Sequence, residues 1–316
     1  MGILCGMVTR ASAPCAPAPC VCYTQTMHRT YLRQLIAPLL AVALAAGALM
    51  GYRALVSQAQ PEPHGIELHF IDVGDADATL VMTGGKAMLV DGGFPESGEV
   101  VALYLMKQGV TSLDVMVSTH PHNDHMGGLE TILSEYDVGV VYGGPARSDR
   151  RVFRRFEDAL ESKGLTVEAP KPGFAFDLGS ARVTVLSPSR LYDELNNMSL
   201  VLRVDYGDAA FLLQADALFD AEFDMLASGL PLAADLVRIG HHGSNDATSD
   251  EYLDAVSPDF AVISCDADKP NRPHRKTLER LERAGVSVYR TDTMGTVVAR
   301  CDGKEIVIDV EFENCR

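Results

Sequence analysis

The sequence predicts an α/β protein in which two β-sheets lie between layers of helices. Short apolar, β-branched runs alternate with amphipathic stretches from Ile66 onward, as is typical of strands separated by helices. The 316 residues are 47% hydrophobic and 22% charged, which is enough for one large core or two small ones. Histidine and aspartate follow several apolar runs, so we expect the chemistry at the ends of strands.

The first half of the body, residues 66–164, begins as an antiparallel meander. Gly74 to Asp77 and Gly84-Gly85 supply the turns between the first three strands. An amphipathic pattern that ends near Gly109 then predicts the first helix. The predicted elements are strands over 66–73, 78–84 and 86–93, a helix over 98–109, a strand over 113–118, a helix over 129–136, a strand over 138–144 and a helix over 151–164.

The second half, residues 181–312, shows the same alternation. Gly207 lies in a predicted hairpin turn, and Asp302-Gly303 turns the final hairpin. Thr248 and Glu251 have the T-x-x-E spacing of a capping box at the start of a helix. The predicted elements are strands over 181–189, 199–207, 209–216 and 234–240, a helix over 249–256, a strand over 259–265, a helix over 275–285 and a hairpin over 295–312.

Residues 1–59 do not follow this pattern. Residues 1–26 are rich in Pro, Ala and Cys and lack periodicity, so we expect a disordered tail, or a segment left untranslated because Met27 is the start. The alternative is that its four cysteines form a metal or disulfide cluster. Residues 27–59 combine a basic flank with an uncharged run from Leu35 to Gly51. This segment predicts one apolar helix that acts as a signal peptide or a membrane anchor.

Such a segment predicts that the body, residues 60–316, is exported. Basic residues ahead of the apolar helix favour a cytoplasmic N-terminus, with the body anchored to the cell membrane or released as a periplasmic or extracellular protein. Cleavage after Ala59 would release the body, whereas an uncleaved segment would anchor it. The remaining alternative is that the segment is a buried helix of a soluble protein. In an exported body, Cys301 and Cys315 are candidates for a disulfide.

The run His120-Pro121-His122-Asn123-Asp124-His125 is the densest group of metal-binding side chains in the chain. These side chains cannot all face one way on a helix, whereas in a loop they can converge. Imidazole nitrogen and carboxylate oxygen are the ligands of Zn²⁺ and of harder ions such as Mn²⁺. The run follows the strand over 113–118, so it predicts a metal site at a strand end. A surface histidine cluster without metal is the alternative.

Further ligands must come from the second half, because no histidine lies between His125 and His241. Asp216 ends the strand over 209–216, where its alternative role is to cap the following helix. The pair His241-His242 ends the strand over 234–240, and Gly243 after it lets the backbone approach a ligand closely. We expect these residues at the site, with an ordinary polar loop as the alternative for the histidine pair.

Charge is distributed unevenly along the chain. The net charge of −16 argues mildly against a protein that coats DNA, although metal ions can supply the positive charge that phosphate esters need. Five arginines nevertheless cluster around the start of one predicted helix: Arg147, Arg150, Arg151, Arg154 and Arg155. They would either guide a phosphodiester backbone toward the site or form a solvated face paired with nearby acidic residues.

Taken together, these motifs resemble the metallo-β-lactamase superfamily, and within it the C-terminal hydrolase domain of ComEC-type competence proteins and related choline-phosphate esterases. The HxHxDH run alone indicates only the superfamily, whereas "GHHGS" at 240–244 and "NNMSLVL" at 196–202 are more specific. The similar stretches span about residues 66–300. The resemblance implies an αββα sandwich, the metallo-β-lactamase fold, with two divalent metal ions between the sheets. Zn²⁺ is the expected ion and Mn²⁺ the alternative.

The resemblance also implies which residues hold the ions. The first ion would be held by His120 and His122, the second by Asp124, His125 and His242, and both by Asp216. His241 would face the substrate, where it contacts a phosphate or donates a proton to the leaving group. Asp91 would lie beneath the HxHxDH loop as a hydrogen-bond partner. Asn197 and His274 are weaker candidates, with a surface histidine at a helix start as the alternative for His274.

Two departures from the family pattern affect the expected site. Many members have a third histidine on the first ion, where this chain has Asn196 and Asn197, so that ion would be weakly held. Members usually read DVGQGDA where residues 72–78 read DVGDADA, and the additional carboxylates would alter the pocket or attract a harder ion. A site without the third histidine and without a cysteine ligand suits phosphate esters better than β-lactams.

The predicted function is therefore that of a metal-dependent hydrolase, in which two ions lower the pKa of a shared water that attacks the substrate. Phosphodiesters, DNA among them, are the expected substrates, and the membrane is a second partner if residues 27–59 are retained. A lactone or carboxylic ester hydrolase with the same metal chemistry is one alternative. A degenerate module that keeps the fold only for binding is the other.

Overall fold

Fifteen short strands form two mixed sheets within residues 65–312, the part of the chain that the computed structural model describes. The predicted tail over 1–26, the predicted signal or anchor over 27–59 and Cys315 of the proposed disulfide lie outside these residues. No helix within 65–312 is both long enough and apolar enough to cross a membrane.

The first sheet has eight strands. They are β1 (Ile66–Phe70), β2 (Thr79–Thr83), β3 (Lys86–Val90), β4 (Ser112–Ser118), β5 (Asp137–Gly143), β6 (Val167–Glu168), β14 (Val297–Cys301) and β15 (Ile306–Val310). Their spatial order is β15-β14-β1-β2-β3-β4-β5-β6, antiparallel as far as β3 and parallel beyond it. The predicted meander is confirmed, because Val81 of β2 lies opposite Leu68 on one side and Met88 on the other.

The second sheet has seven strands. They are β7 (Ala175–Leu178), β8 (Ala181–Ser187), β9 (Val201–Tyr206), β10 (Ala209–Leu213), β11 (Leu236–Arg238), β12 (Phe260–Ile263) and β13 (Ser287–Arg290). Neighbouring strands pair in chain order, antiparallel from β7 to β10 and parallel from β10 to β13. The strands β6, β7 and β13 were not predicted, because they are short and only Leu178 among their residues is fully buried, so they lack a strong apolar pattern.

Eight α-helices within the described residues separate these strands. They are α1 (Gly98–Lys107), α2 (Asn123–Met126), α3 (Leu129–Glu135), α4 (Arg151–Lys163), α5 (Phe219–Ala227), α6 (Asp250–Val256), α7 (Arg275–Arg283) and α8 (Thr291–Met294). The predicted capping box at the start of α6 is wrong by one residue. Ser249 is the N-cap and accepts a hydrogen bond from the Tyr252 amide, whereas the Thr248 amide donates to Glu222.

Three apolar clusters make the layers of the fold. One lies between the two sheets and includes Phe70 and Phe211. A second packs α1, α3 and α4 against the outer face of the first sheet, around residues such as Leu105 and Phe156. The third packs α5, α6 and α7 against the outer face of the second sheet, around residues such as Tyr252. The order helix, sheet, sheet, helix confirms the predicted αββα sandwich.

Candidate metal centre

The predicted metal-binding residues come from both sheets and meet at one edge of the sandwich. The HxHxDH run begins two residues after β4 ends at Ser118, in the first sheet. Asp216 follows β10 and the pair His241-His242 follows β11, which are parallel neighbours in the second sheet. Because the carboxyl ends of parallel strands lie at the same edge, these residues converge.

The HxHxDH run is half loop and half helix, not a loop throughout as predicted. The short helix α2 begins at Asn123, so Asp124 and His125 lie on a helical turn that follows the loop histidines. The His122 carbonyl accepts hydrogen bonds from the amides of His125 and Met126, at 3.3 and 3.0 Å. This turn brings the His125 ring beside the His120 ring, with 4.2 Å between their centroids.

The first group of candidate ligands consists of His120, His122 and Asp216. The Nε2 atom of His120 lies 3.0 Å from Nδ1 of His122 and 3.7 Å from Oδ2 of Asp216. The other ring nitrogen of His120 faces hydroxyl groups, Thr119 Oγ1 at 3.1 Å and Ser199 Oγ at 3.3 Å. These contacts turn Nε2 of His120 toward the space that the group encloses.

The second group also includes Asp216. Its Oδ2 atom lies 3.2 Å from Nε2 of His125, and its Oδ1 atom lies 3.7 Å from Nε2 of His242. Asp124 Oδ2 lies 3.6 Å from the same His242 nitrogen. The carboxylate of Asp216 therefore stands between the two groups, which is the position predicted for a ligand shared by two ions.

Buried polar atoms without hydrogen bonds test whether these residues fit a metal. Within residues 65–312, Nε2 of His125, Nε2 of His242 and Oδ1 of Asp216 are buried and have no hydrogen-bond partner. Such atoms are rare in folded proteins because each one costs about 1–3 kcal/mol. Here they face one another and belong to the nitrogen and oxygen donors that divalent ions bind. The site therefore fits a bound cation.

Hydrogen bonds behind the ligands fix the direction in which the rings point. Asp91 accepts from the Thr119 amide at 2.9 Å, from the Thr119 hydroxyl at 2.7 Å and from Nδ1 of His125 at 2.8 Å. The Ser264 carbonyl accepts from Nδ1 of His242 at 3.1 Å. With the proton on Nδ1, the Nε2 lone pair of each histidine is free for a metal. Asp91 thus lies beneath the HxHxDH run, as the resemblance implies.

Asp77 and Arg238 form a buried ion pair under the second group, and neither was predicted as a site residue. Asp77 satisfies the spacing of a ligand cluster with His125, Asp216 and His242. However, it approaches the Nδ1 atoms, at 3.4 Å from His125 and 3.8 Å from His242. It therefore lies on the side of the rings away from Asp216. The signal that was available is a charged residue, Arg238, inside the apolar run of β11.

Charges in the second group stabilise one another strongly. Burial acts to lower the pKa of His125, but the carboxylates of Asp216, Asp77 and Asp91 outweigh it and hold this pKa well above its ordinary value. Burial likewise opposes the raised pKa of His242, which Asp216 and Asp77 produce. Burial acts to raise the pKa of Asp216, but the positive charges of both histidines hold it well below its ordinary value. The carboxylates of the second group thus favour a positive charge between them, which a bound cation would supply.

In the first group, by contrast, the pKa values of both histidines are lowered. Burial holds the pKa of His120 well below its ordinary value, and the charge of His125 adds to this effect. Burial also lowers the pKa of His122, and the Arg150 guanidinium contributes. Neutral imidazole is the form that binds metal, so these two side chains need not lose a proton before they do so.

His241 and His242 have backbone angles that non-glycine residues rarely adopt. Their φ values are +49° and +53°, in the left-handed region. The consecutive left-handed residues turn His242 into the second group and leave His241 at the rim. There Nδ1 of His241 lies 2.9 Å from Asp246 and Nε2 lies 3.0 Å from Arg272 and 3.4 Å from Asn196 Nδ2. Nε2 of His241 is 4.0 Å from Asp216.

The two weaker candidates have structural roles in the described residues. Asn197 Oδ1 accepts hydrogen bonds from the amides of Leu218 and Ala221, at 2.9 and 3.4 Å, and so caps the start of α5. His274 is the N-cap of α7, and its Nδ1 atom accepts from the Lys276 amide at 3.1 Å. His274 belongs to neither candidate ligand group among residues 65–312.

Replacing Asn197 with Ala tests this assignment. We expect the free energy of unfolding to fall by about 1–2 kcal/mol, because two amides at the start of α5 lose their acceptor. Metal content should stay the same as in the wild type. Urea denaturation measures the free energy of unfolding, and elemental analysis measures the metal content. A loss of metal without a loss of stability would indicate that Asn197 binds metal.

Comparison with known proteins agrees with this geometry. Residues 71–267, more than half of the chain, match the family described as the metallo-beta-lactamase superfamily. The chain is 29% identical over 260 residues to ComE operon protein 3 of Bacillus subtilis (strain 168), covering 74% of this chain and 33% of that protein. It is 29% identical over 229 residues to competence protein ComA of Neisseria gonorrhoeae, covering 72% and 31%. The chain thus spans about a third of the length of these relatives.

A solved structure shares the fold. The metallo-beta-lactamase fold protein YhfI from Bacillus subtilis superposes with a TM-score of 0.50 at 15% identity, over 71% of this chain and 96% of that protein. The family match, the relatives and the shared fold confirm the resemblance on which the site residues were predicted. The chain belongs to the metallo-beta-lactamase superfamily.

Proposed function

We propose that this chain is a hydrolase that uses two divalent metal ions to cleave phosphodiesters. The observation that carries the proposal is the position of Asp216, whose carboxylate faces His120 in one ligand group and His125 and His242 in the other. A carboxylate shared in this way is the arrangement that a two-ion site requires. When bound, the two ions lower the pKa of water and neutralise the charge that develops on the reacting group.

Some residues of the site would bind the ions, and others orient the side chains that bind them. We assign the first ion to Nε2 of His120 and Nδ1 of His122, and the second to Nε2 of His125, Nε2 of His242 and the carboxylate of Asp124, with Asp216 shared. Asp91 keeps the His125 ring and Thr119 in place. The mixed imidazole and carboxylate donors suit Zn²⁺ and also Mn²⁺.

A basic groove beside the first group supports a phosphodiester substrate. The groove has a volume of about 490 Å³ and runs past Asn123, Arg150 and Arg151. Two of the five clustered arginines are in ion pairs, Arg147 with Glu157 and Arg155 with Glu130, and Arg154 donates to the uncharged Asp149 carbonyl. Arg150 and Arg151 have no ion pair within residues 65–312, so their charge is available to phosphates.

An apolar cleft next to His120 fits the organic part of such a substrate. The cleft has a volume of about 190 Å³ and is lined by Met126, Phe153 and Phe156. Apolar surface that faces a charged site is suited to a ring or a nucleobase attached to the phosphate. The groove and the cleft together favour a phosphodiester of a nucleic acid over a small phosphate compound without a nucleobase. Export of the body, proposed from residues 27–59, would bring it to substrates outside the cytoplasm.

Rates on three substrate classes test the proposed function. The full chain is stripped of metal with a chelator, resupplied with Zn²⁺ or Mn²⁺, and assayed with bis(p-nitrophenyl) phosphate, a lactone and DNA. We expect metal-dependent turnover with the highest kcat/KM on the diesters, and the stripped protein serves as the control. A preference for the lactone would replace the phosphodiester assignment, and bound metal with no turnover on any substrate would indicate a binding module.

A further inference from the structure

Arg272 enters the rim of the metal centre from the segment between β12 and α7. One guanidinium nitrogen lies 3.0 Å from Nε2 of His241, and the other lies 3.1 Å from Oδ2 of Asp75. His241 is in turn 4.0 Å from Asp216, the carboxylate shared by the two ligand groups. Only the His241 side chain therefore separates the guanidinium from Asp216 in the candidate metal centre. Its side chain is still 30% exposed, so a ligand can reach it.

We propose that Arg272 binds the phosphate group of the substrate and that Asp75 and His241 hold it in position. The inference rests on the proposed phosphodiesterase function and specifies how the site selects an anionic substrate. A guanidinium is a planar fork with five N–H donors, so Arg272 still has three for the oxygens of a phosphate after it donates one each to Asp75 and His241, and it keeps its charge at all relevant pH values. A neutral lactone gives this fork no comparable partner.

The environment of Asp75 supports this assignment. Asp75 is only 5% exposed, and within residues 65–312 one of its carboxylate oxygens has no hydrogen-bond partner. Its compensating charges are Arg272, at 3.1 Å, and Lys269, at 4.0 Å. A buried carboxylate is costly unless it is paired, so Asp75 needs these two cations and in turn holds the closer one, Arg272, in position.

The hydrogen bonds of His241 argue against both roles that the resemblance implied for it, proton donation to the leaving group and contact with the phosphate. A guanidinium has only donors, so Nε2 of His241 accepts from Arg272, and the ring proton lies on Nδ1 and points to Asp246. A ring in this tautomer has no Nε2 proton to donate to a leaving group. His241 is therefore a positioning residue that acts through Arg272, and the phosphate contact belongs to the arginine.

The test compares Arg272→Gln and Arg272→Lys with wild type, using the full chain loaded with metal. We measure KM and kcat for bis(p-nitrophenyl) phosphate, and binding of inorganic phosphate by calorimetry, which needs no turnover. Arg272→Gln should raise KM and the Kd for phosphate about tenfold, because a charge-assisted contact to the phosphate is lost. Arg272→Lys should recover part of the affinity, and metal content should not change.

Controls separate a binding role from a structural one. Arg182, on β8, pairs with Asp177 at 2.8 Å on an exposed surface, so Arg182→Gln removes an equal charge elsewhere and should match wild type. Asp75→Asn should shift KM and the phosphate Kd in the same direction as Arg272→Gln. It should add little when combined with that substitution, because Asp75 acts through the arginine.

The outcomes distinguish this inference from the proposed function. If wild type cleaves the diester and Arg272→Gln keeps the wild-type KM and phosphate Kd, the role of Arg272 is overturned while the phosphodiesterase stands. If wild type does not cleave the diester but binds phosphate in a way that depends on Arg272, the anion site is supported and the proposed activity fails. A wild type that neither cleaves the diester nor binds phosphate overturns both.

Discussion

Asp216→Ala is expected to lower kcat/KM for a phosphodiester by about a thousandfold or more, because several kcal/mol of charge stabilisation by the metal centre would be lost. Asp216 faces both candidate ligand groups, so its removal deprives each ion of a ligand. We therefore expect metal content to fall together with activity.

The matched control is Asp177→Ala, which removes an aspartate that is 72% exposed and lies in a surface ion pair. We expect this variant to keep wild-type metal content and rates, because exposed pairs contribute little. Elemental analysis and initial rates measure both quantities for both variants. An Asp216→Ala protein that retained two ions and more than a tenth of the wild-type rate would exclude a shared ligand at this position.

Arg238→Met is expected to lower the free energy of unfolding by about 3–5 kcal/mol, because it removes the cation closest to the buried Asp77 carboxylate and leaves that carboxylate only the two histidines. The side chains of Arg238 and Asp77 are 4% and 1% exposed, so water cannot solvate the remaining carboxylate. Urea denaturation of the metal-free protein measures the effect without a contribution from bound ions.

The double variant Asp77→Asn/Arg238→Met distinguishes the effect of this ion pair on stability from its effect on metal binding. With both charges removed, most of the lost stability should return. Metal affinity should remain about 10–100-fold weaker, because Asp77 lies behind the His125 and His242 rings and orients them. A double variant as unstable as Arg238→Met, or one with wild-type metal affinity, would refute the role assigned to this pair.

Most of the fold could be predicted because its strands and helices have strong apolar periods. The meander from Ile66 to Val90 and the amphipathic helix that ends at Gly164 follow directly from such patterns. The short strands β6, β7 and β13 could not be predicted, because only Leu178 among their residues is fully buried. The predicted N-cap of α6 was one residue too early, because Glu222, distant in sequence, accepts a hydrogen bond from the Thr248 amide.

The candidate site was predictable where ligand types cluster in the sequence or follow apolar strands. The structure brings together all six residues expected to hold metal, from His120 to His242, and places Asp91 behind His125. Asn197 and Arg272 could not be assigned from sequence, because their roles depend on contacts with residues far along the chain. The buried partner of Asp77 was missed for the same reason.

The most direct test of a two-ion centre is the metal content of the purified full chain, measured by elemental analysis after dialysis with Zn²⁺ or Mn²⁺. The arrangement of the two ligand groups around Asp216 predicts about two ions per chain, with hydrolysis of bis(p-nitrophenyl) phosphate that rises as the second ion binds. A protein that binds no metal, or that saturates at one ion and gains nothing from more, would contradict the proposed centre.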